Sequence, residues 1–317
     1  MADVAIANTL DDEAVQPARR AQRRGVGRFR LPLTALVLLL PAVFLMMALL
    51  IGPVAAVMLM SFTDYQLGAP SWSLVGLTNY VELYGDRVFW TSLVNTLFYV
   101  AVVVPASMAL GLGLALLIES GTTLRGFYRS IFFIPVMATL IAMAISWEYM
   151  LHPQFGLINL TLKSLGLPAQ AWLTDPALAL PTIAVIGIWQ LFGFNMVLFL
   201  AGLVSIPSHL YEAAVMDGAR SAWSRFWLVT WPMLGPVTMF VAVISAIRSF
   251  QVFDTVHVLT KGGPSKATEV LLYSMYSEGF EFFRSGLAAA IAVVFLAFVL
   301  LLTVIKSRLI EQKVHYA

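Results

Sequence analysis

Six stretches of this chain are long and apolar enough to cross a lipid bilayer. They run over about 33–61, 91–118, 130–150, 178–203, 233–258 and 286–306. A helix crosses the hydrocarbon layer in about 20 residues. Lipid offers no partner to an unpaired backbone amide or carbonyl, so spanning segments of this kind must be helical. The composition agrees. The 317 residues are 60% hydrophobic and 11% charged, with a mean hydropathy of +0.86. A soluble domain carries about twice that share of charge. The predicted fold is an all-α polytopic membrane protein with six transmembrane helices. The fifth span is the least regular, because Arg248, Gln251 and Asp254 interrupt its end.

Orientation follows from the basic residues flanking the spans. Residues 1–30 form a polar tail with Arg19, Arg20, Arg23, Arg24, Arg28 and Arg30. The apolar run behind it continues to about Met60, far beyond the roughly 7–15 residues of a signal peptide's apolar core, so it is predicted to be a retained first span. With the N-terminus inside, 13 Lys and Arg fall on the inner side and six on the outer. Both termini are therefore predicted to be cytoplasmic, with a tail over 1–30 and one membrane domain over 31–317. The outer loops at 62–90, 152–177 and 259–285 are rich in Pro, Gly, Trp and Tyr. There are no cysteines, so neither disulfides nor thiolate metal sites are possible.

One inner segment, 204–232, departs from the lipid-like pattern. It overlaps the stretch YEAAVMDGARSAWSRFWLVTWPMLGP, from Tyr211 to Pro236, which runs on into the fifth span. Pro207, with Ser205 or Ser208 as cap, predicts a helix start. Glu212 lies near that start, where the helix dipole favours an anion. Gly218 can adopt the left-handed conformation that ends a helix. A second helix is predicted from Ser221, stopped or bent by Pro232 into the fifth span. Trp223, Phe226, Trp227 and Thr230 recur at helical spacing on one face of it. Two short helices at a glycine corner suit either an interfacial linker or a docking knob for a cytoplasmic partner.

The residues carry a resemblance that favours the knob. Glu212, Ala213, Ala214, Asp217, Gly218, Ala219, Phe226, Pro232 and Pro236 fall in register with the EAA loop of ABC-importer permeases. Trp231 is a departure from the family pattern. VGLTNYVEL at 75–83, SLVNTLFY in the second span and FDTVHVLTKGGPSKATEVLLYSMY at 253–276 resemble the carbohydrate-uptake branch, the maltose and glycerol-3-phosphate permease type. RLIEQKVHY at 308–316 is similar to the tail of the glycerol-phosphate permeases. The resemblance covers about residues 33–316. It implies a type I ABC-importer permease fold in the bacterial inner membrane and a non-catalytic subunit. It implies that Glu212, Ala213, Ala214, Asp217, Gly218, Trp223, Phe226 and Trp227 couple to a cytoplasmic ATPase. The implied partners are a second homologous permease, two P-loop ATPase subunits and a periplasmic or lipid-anchored solute-binding protein. Its only other surroundings are membrane lipid, and no nucleic-acid partner is expected. ATP and Mg would sit in the ATPases. Consistently, no G-x-x-x-x-G-K-[ST] occurs in this chain.

Polar side chains inside spans mark candidate solute contacts. These are Asn95 and Tyr99 in the second span, Trp189, Gln190, Phe194 and Asn195 in the fourth, and Ser245, Arg248, Gln251 and Asp254 in the fifth. Carboxamides beside aromatic rings suit a sugar, whose hydroxyls take hydrogen bonds while its apolar faces stack. Each also has an ordinary structural reading, such as a hydrogen bond between helices. The four histidines, His152, His209, His257 and His315, are scattered without metal-site spacing. An ion-coupled secondary transporter would carry mid-span acids or histidines for its ion, and the spans are nearly free of them. A membrane-embedded enzyme would need a nucleophile or metal cluster, and none stands out.

Overall fold

A computed structural model describes residues 33–121 and 123–311. The expected tail over 1–30 lies outside the described residues. The chain divides into two compact units at Pro53. In the first, α1 (Leu33–Met46) runs into a π turn at Met47–Ile51. Helix α2 (Gly52–Met60) follows, its residues from Val54 onward belonging to the second unit. The turn widens just ahead of Pro53, where the Gly52 amide reaches back to Met47 O. A proline ring clashes with the carbonyl four residues back and offers it no donor, and the wider turn relieves that conflict.

The second unit continues through α3 (Thr78–Gly85), α4 (Arg87–Ser120), α5 (Arg125–Met137), α6 (Leu140–Met150), α7 (Leu157–Ser164) and α8 (Pro176–Val204). Then come α9 (Ser208–Met216), α10 (Ala222–Arg225), α11 (Trp231–Met233), α12 (Gly235–Phe250), α13 (Asp254–Leu259), α14 (Leu271–Tyr276) and α15 (Ser285–Glu311). The described residues hold no strand, only a lone antiparallel bridge between Thr63 and Leu74. The long helices start where the sequence supplies a cap. Asp86 accepts from Val88 N at 2.8 Å to open α4, and Asp175 accepts from Ala177 N at 2.8 Å to open α8. Each carboxylate takes up an amide that has no partner inside its helix.

Among the described residues, four helical stretches are long and apolar enough to span a membrane: Val37–Met60, Arg87–Ser120, Pro176–Val204 and Gly235–Leu259. The span expected at 130–150 is not one rod. It breaks between α5 and α6, whose axes differ by 98°. Ala138 and Thr139 are extended there, just after Pro135. The proline withholds the donor that Ile131 O would need to carry the helix on.

Helix α8 is the centre of the unit. It packs along α4 and is flanked by α5 and α12. Small residues allow the close approach, as is common between membrane helices. A side chain on Gly111 would meet Asn195 Cβ at 2.8 Å. One on Gly193 would strike the Phe132 carbonyl of α5. The core has three parts. One joins Ala115 and Ile118 of α4 to Met196, Phe199 and Leu203 of α8 and to Ala214, Ala219, Val229 and Leu234 of the inner segment. The second gathers Tyr99, Ile183, Val256, Val270 and Tyr273. The third seats Leu287, Ala290 and Ile291 of α15 on Leu83, Phe89 and Leu271.

Candidate functional site

The inner segment folds as a helical hairpin with its corner at Gly218. Pro207 precedes α9 with extended backbone and no side chain caps the helix, so the expected serine cap is absent. Ser205 Oγ instead donates back to Gly202 O at 2.7 Å, and Ser208 is the first helical residue. At the other end Gly218 has φ +94°. Its amide reaches Val215 O at 3.1 Å, and Ala219 N reaches Ala214 O at 2.8 Å. This is a Schellman closure, and its customary apolar contact is supplied by Ala214 and Ala219, both buried. Ser221 then caps α10, its hydroxyl accepting from Ser224 N at 3.0 Å.

Pro232 does not end the second helix. The chain widens into a π turn at Phe226–Thr230 ahead of it, as before Pro53, and stays helical through α11. The break falls at Leu234, and Pro236 lies in the first turn of α12. Tyr211 and Thr230 join the two arms through their hydroxyls at 3.0 Å.

This arrangement sorts the predicted coupling residues. Ala214 is turned into the core, while Glu212, Ala213, Asp217 and Gly218 are exposed and Phe226 is half-buried. Trp223 and Trp227 are exposed at 71% and 48%. The rings form a ladder. Trp223 lies 5.6 Å from Trp227, Phe226 lies 5.2 Å from Trp227, and Trp231 lies 5.9 Å from Trp227. Trp231 is thus a member of the aromatic face. The four-residue steps from Trp223 to Trp227 and from Trp227 to Trp231 were the signal for it. Met216, 88% exposed beside the corner, was missed.

The candidate solute residues separate into two groups. Asn195, Ser107 and Ser245 form a closed chain: Asn195 Nδ2 donates to Ser107 Oγ at 3.1 Å, and Ser245 Oγ donates to Asn195 Oδ1 at 2.9 Å. All three are fully buried and bind α4, α8 and α12 together. Tyr99 is buried too, its hydroxyl lying where a side chain on Gly187 would be. Asn95 Nδ2 donates to Glu269 O at 2.8 Å and Lys266 O at 3.3 Å. In the second group, Arg248 and Gln251 are exposed, and Trp189, Gln190, Phe194 and Asp254 are half-buried. Arg248 places its guanidinium 4.3 Å above the Phe194 ring, and Trp189 meets Trp147 edge-on at 5.4 Å.

The 259–285 loop is more than a surface. Glu269 is fully buried; its carboxylate accepts from Ser274 Oγ at 2.8 Å and Lys266 Nζ at 3.2 Å. Thr268 Oγ1 donates to Gly263 O at 2.6 Å. Thr96 Oγ1 accepts from Leu271 N at 3.0 Å. Gly262, at φ +77°, lies against the Glu269 carboxylate and Tyr273 with no room for a side chain. Beside this loop is a cavity of about 480 Å³ lined by Glu82, Asp86, Lys266, Glu278 and Arg284 among others. Burial raises the Glu278 carboxyl above its ordinary range, while Arg284 pulls it back.

Comparison with known proteins agrees with this geometry. Residues 107–316 match the family described as binding-protein-dependent transport system inner membrane component. A probable ABC transporter permease protein of Pyrococcus horikoshii is 36% identical over 260 residues, covering 81% of this chain and 89% of that one. The sn-glycerol-3-phosphate transport system permease protein UgpA of Agrobacterium fabrum is 33% identical over 249 residues, covering 78% and 84%. In fold, the chain is similar to the crystal structure of a bacterial ABC transporter involved in the import of the acidic polysaccharide alginate. There the TM-score is 0.78 at 23% identity, with 89% of this chain and 96% of that chain covered. The described helices and these relatives together establish that the chain belongs to the binding-protein-dependent ABC importer permeases, as a multi-pass membrane subunit of the carbohydrate-uptake type.

Proposed function

We propose that this chain forms one half of the translocation path for a sugar, oligosaccharide, polyol or glycerol-phosphate-type solute in a bacterial inner membrane. Six spans with both termini cytoplasmic complete that reading, with the membrane domain over 31–317 and the coupling segment over 204–232. A second homologous permease faces it, two P-loop ATPases sit below, and a periplasmic or lipid-anchored binding protein delivers solute from outside. ATP and Mg belong to the ATPase subunits, and this chain makes and breaks no bond. The glycerol-phosphate relative and the alginate importer support the solute class.

The observation that carries the reading is the inner hairpin. Met216, Trp223, Trp227 and Trp231 face outward on a base packed into the core of the unit. Exposed aromatics on a rigid support are the composition of a binding hot spot. Glu212, Ala213, Asp217 and Gly218 line the turn end of that face, and the ladder of Trp223, Phe226 and Trp227 supplies its apolar part. Closure of the ATPases on ATP then draws the hairpins of the two permeases together and opens the path outward. Among the candidate path residues, Trp189, Gln190, Phe194, Arg248, Gln251 and Asp254 are the accessible ones. Asn95, Tyr99, Asn195 and Ser245 border the path from behind by holding its helices.

Mild-detergent purification of the tagged chain from its native cells tests the assignment. Mass spectrometry should recover a P-loop ATPase and a second polytopic chain with a similar loop. Glu212→Lys should remove the ATPase and leave membrane insertion intact. Recovery of the chain alone, without nucleotide hydrolysis, would favour an ion-coupled carrier.

A further inference from the structure

We infer that α3 is a membrane-surface helix. Its face of Leu77, Val81 and Tyr84, continued by Trp90, is seated in the phospholipid leaflet on the side away from the inner hairpin. This goes beyond the importer reading and takes from it only that the chain spans a membrane.

The level of α3 is set by what flanks it. The first span ends at Met60, and α3 is stitched to the residues just after it. Asn79 Nδ2 donates to Ser61 O at 2.9 Å and to Thr63 O at 2.8 Å, and the Tyr80 hydroxyl donates to Ser61 Oγ at 2.7 Å. At its other end Asp86 alone separates α3 from α4, where the next span begins. Two consecutive spans meet the same boundary of the bilayer, so α3 stands at that boundary. It is the boundary opposite the hairpin, which packs on Ala115 and Ile118 near the far end of α4. Eight residues at 1.5 Å each make a helix about 12 Å long, too short to cross.

Around its axis the residues divide into three arcs. At about 3.6 residues per turn, Asn79 and Leu83 share one arc. Both are buried, and Leu83 joins Leu287 and Ile291 of α15 in the core. Thr78, Glu82 and Gly85 share a second arc. All three are exposed, and Glu82 pairs with Arg284 beside the charged cavity. Leu77, Val81 and Tyr84 share the third, and each is more than half exposed. A helix lying between protein and water needs a buried face and a polar face. A third face of large apolar groups suits a bilayer surface. One arc then serves the protein, one the water and one the lipid.

The lipid arc runs on into a span. Trp90, in the first turn of α4, donates its indole N–H to Tyr84 O at 2.8 Å, and its ring meets Tyr84 edge-on at 5.9 Å. Trp90, Val94 and Leu97 then recur at helical spacing as exposed apolar residues along α4. The arc of α3 and this stripe of α4 form one continuous apolar face. Tyr84 and Trp90 mark its edge, and such rings gather at the edges of a bilayer. A soluble partner would meet the Glu82 arc instead. Lipid thereby holds Glu82, and through Arg284 the start of α15, at a fixed height over the membrane.

The chain has no cysteine, so single substitutions accept a nitroxide label, with the unsubstituted complex as the blank. Val81→Cys, Tyr84→Cys and Thr78→Cys are made in the native complex. Each is returned from mild detergent to nanodiscs of phosphatidylethanolamine and phosphatidylglycerol. Spin relaxation by oxygen, which concentrates in lipid, is compared with relaxation by a water-soluble nickel chelate. The oxygen-to-nickel ratio should be several-fold higher at 81 and 84 than at 78, placing both labels about 5–10 Å into the boundary of headgroups and acyl chains. Ready access of nickel to 81 and 84 would put the face in water, and shielding from both reagents would put it against a protein. Either result overturns the inference. If a label blocks assembly, photo-crosslinking of the unsubstituted complex with a diazirine-bearing phosphatidylglycerol decides. Adducts on Leu77, Val81 or Tyr84 support the inference, and their absence overturns it. Neither readout depends on transport. A preparation without an ATPase sinks the importer reading, and the same labels still report whether α3 lies in lipid.

Discussion

The loop around Glu269 and the hairpin around Gly218 solve opposite problems with similar materials. Each turns on a glycine of positive φ, and each is tied to α4 and its neighbours. In the Glu269 loop the polar groups are turned inward and paired: a carboxylate, a threonine hydroxyl and an asparagine amide all find partners within the chain. In the hairpin the corner is closed by backbone hydrogen bonds, and the large rings of Trp223, Trp227 and Trp231 are turned outward in contact with one another. The first loop is finished by its own chain. The second leaves an apolar face exposed by its own chain. Burial within one chain thus separates residues that hold the permease together from residues that address its surroundings.

That contrast predicts different failures. The largest effect on stability is expected at Gly262. Gly262→Ala forces a side chain into positive φ and against the Glu269 carboxylate. Strain of about 1–2 kcal/mol and overpacking of about 1–3 kcal/mol should lower the thermal transition in detergent by many degrees. A variant as stable as the parent would show that the loop is not packed as described. At the hairpin, Trp223→Ala with Trp227→Ala should cost about 2–4 kcal/mol of ATPase-subunit affinity. In pull-down that is a loss of more than tenfold, with the unfolding transition unmoved. A fall in stability instead would make the ladder part of the core and erase the distinction.

Asn195→Ala tests the middle ground. It leaves Ser107 and Ser245 buried without their shared partner, at a cost of about 1–2 kcal/mol. Uptake should fall only as far as the amount of folded protein falls. A normal protein level with lost uptake would return Asn195 to the solute path. The smallest effect belongs to Ser221→Ala, which removes an N-cap worth about 1 kcal/mol. Amide exchange should quicken at Ser224 and its neighbours, with a slight loss of coupling; an unchanged exchange rate would mean that the cap does not hold the arm.

Much of this was legible in the sequence, and the reasons for success and failure are physical. Hydropathy located α4, α8 and α12 because lipid imposes one demand on every residue of a span. The corner at Gly218 and the restart at Ser221 were legible because each is decided by a few adjacent residues. The break at Ala138–Thr139 was not, since Pro135 sits as readily inside a kinked helix as at the end of one. Nor was the role of Asn195, whose partners lie 88 and 50 residues away. A buried Glu269 was hidden as well: Ser274 and Lys266 lie close to it in sequence, but Asn95 and Thr96, which dock its loop on α4, bond residues 174 and 175 positions away.

The apolar base of the hairpin has one more consequence. Ala214, Ala219 and Val229 share a single cluster with Ala115 of α4, Phe199 of α8 and Val241 of α12. Close-packed side chains of this kind compress little and transmit strain. The hairpin is therefore a tooth cut from the same block as the three central helices, not a tether strung between them. A push on Trp223 cannot be absorbed locally, and the stroke of a motor seated there would arrive at α4, α8 and α12 together.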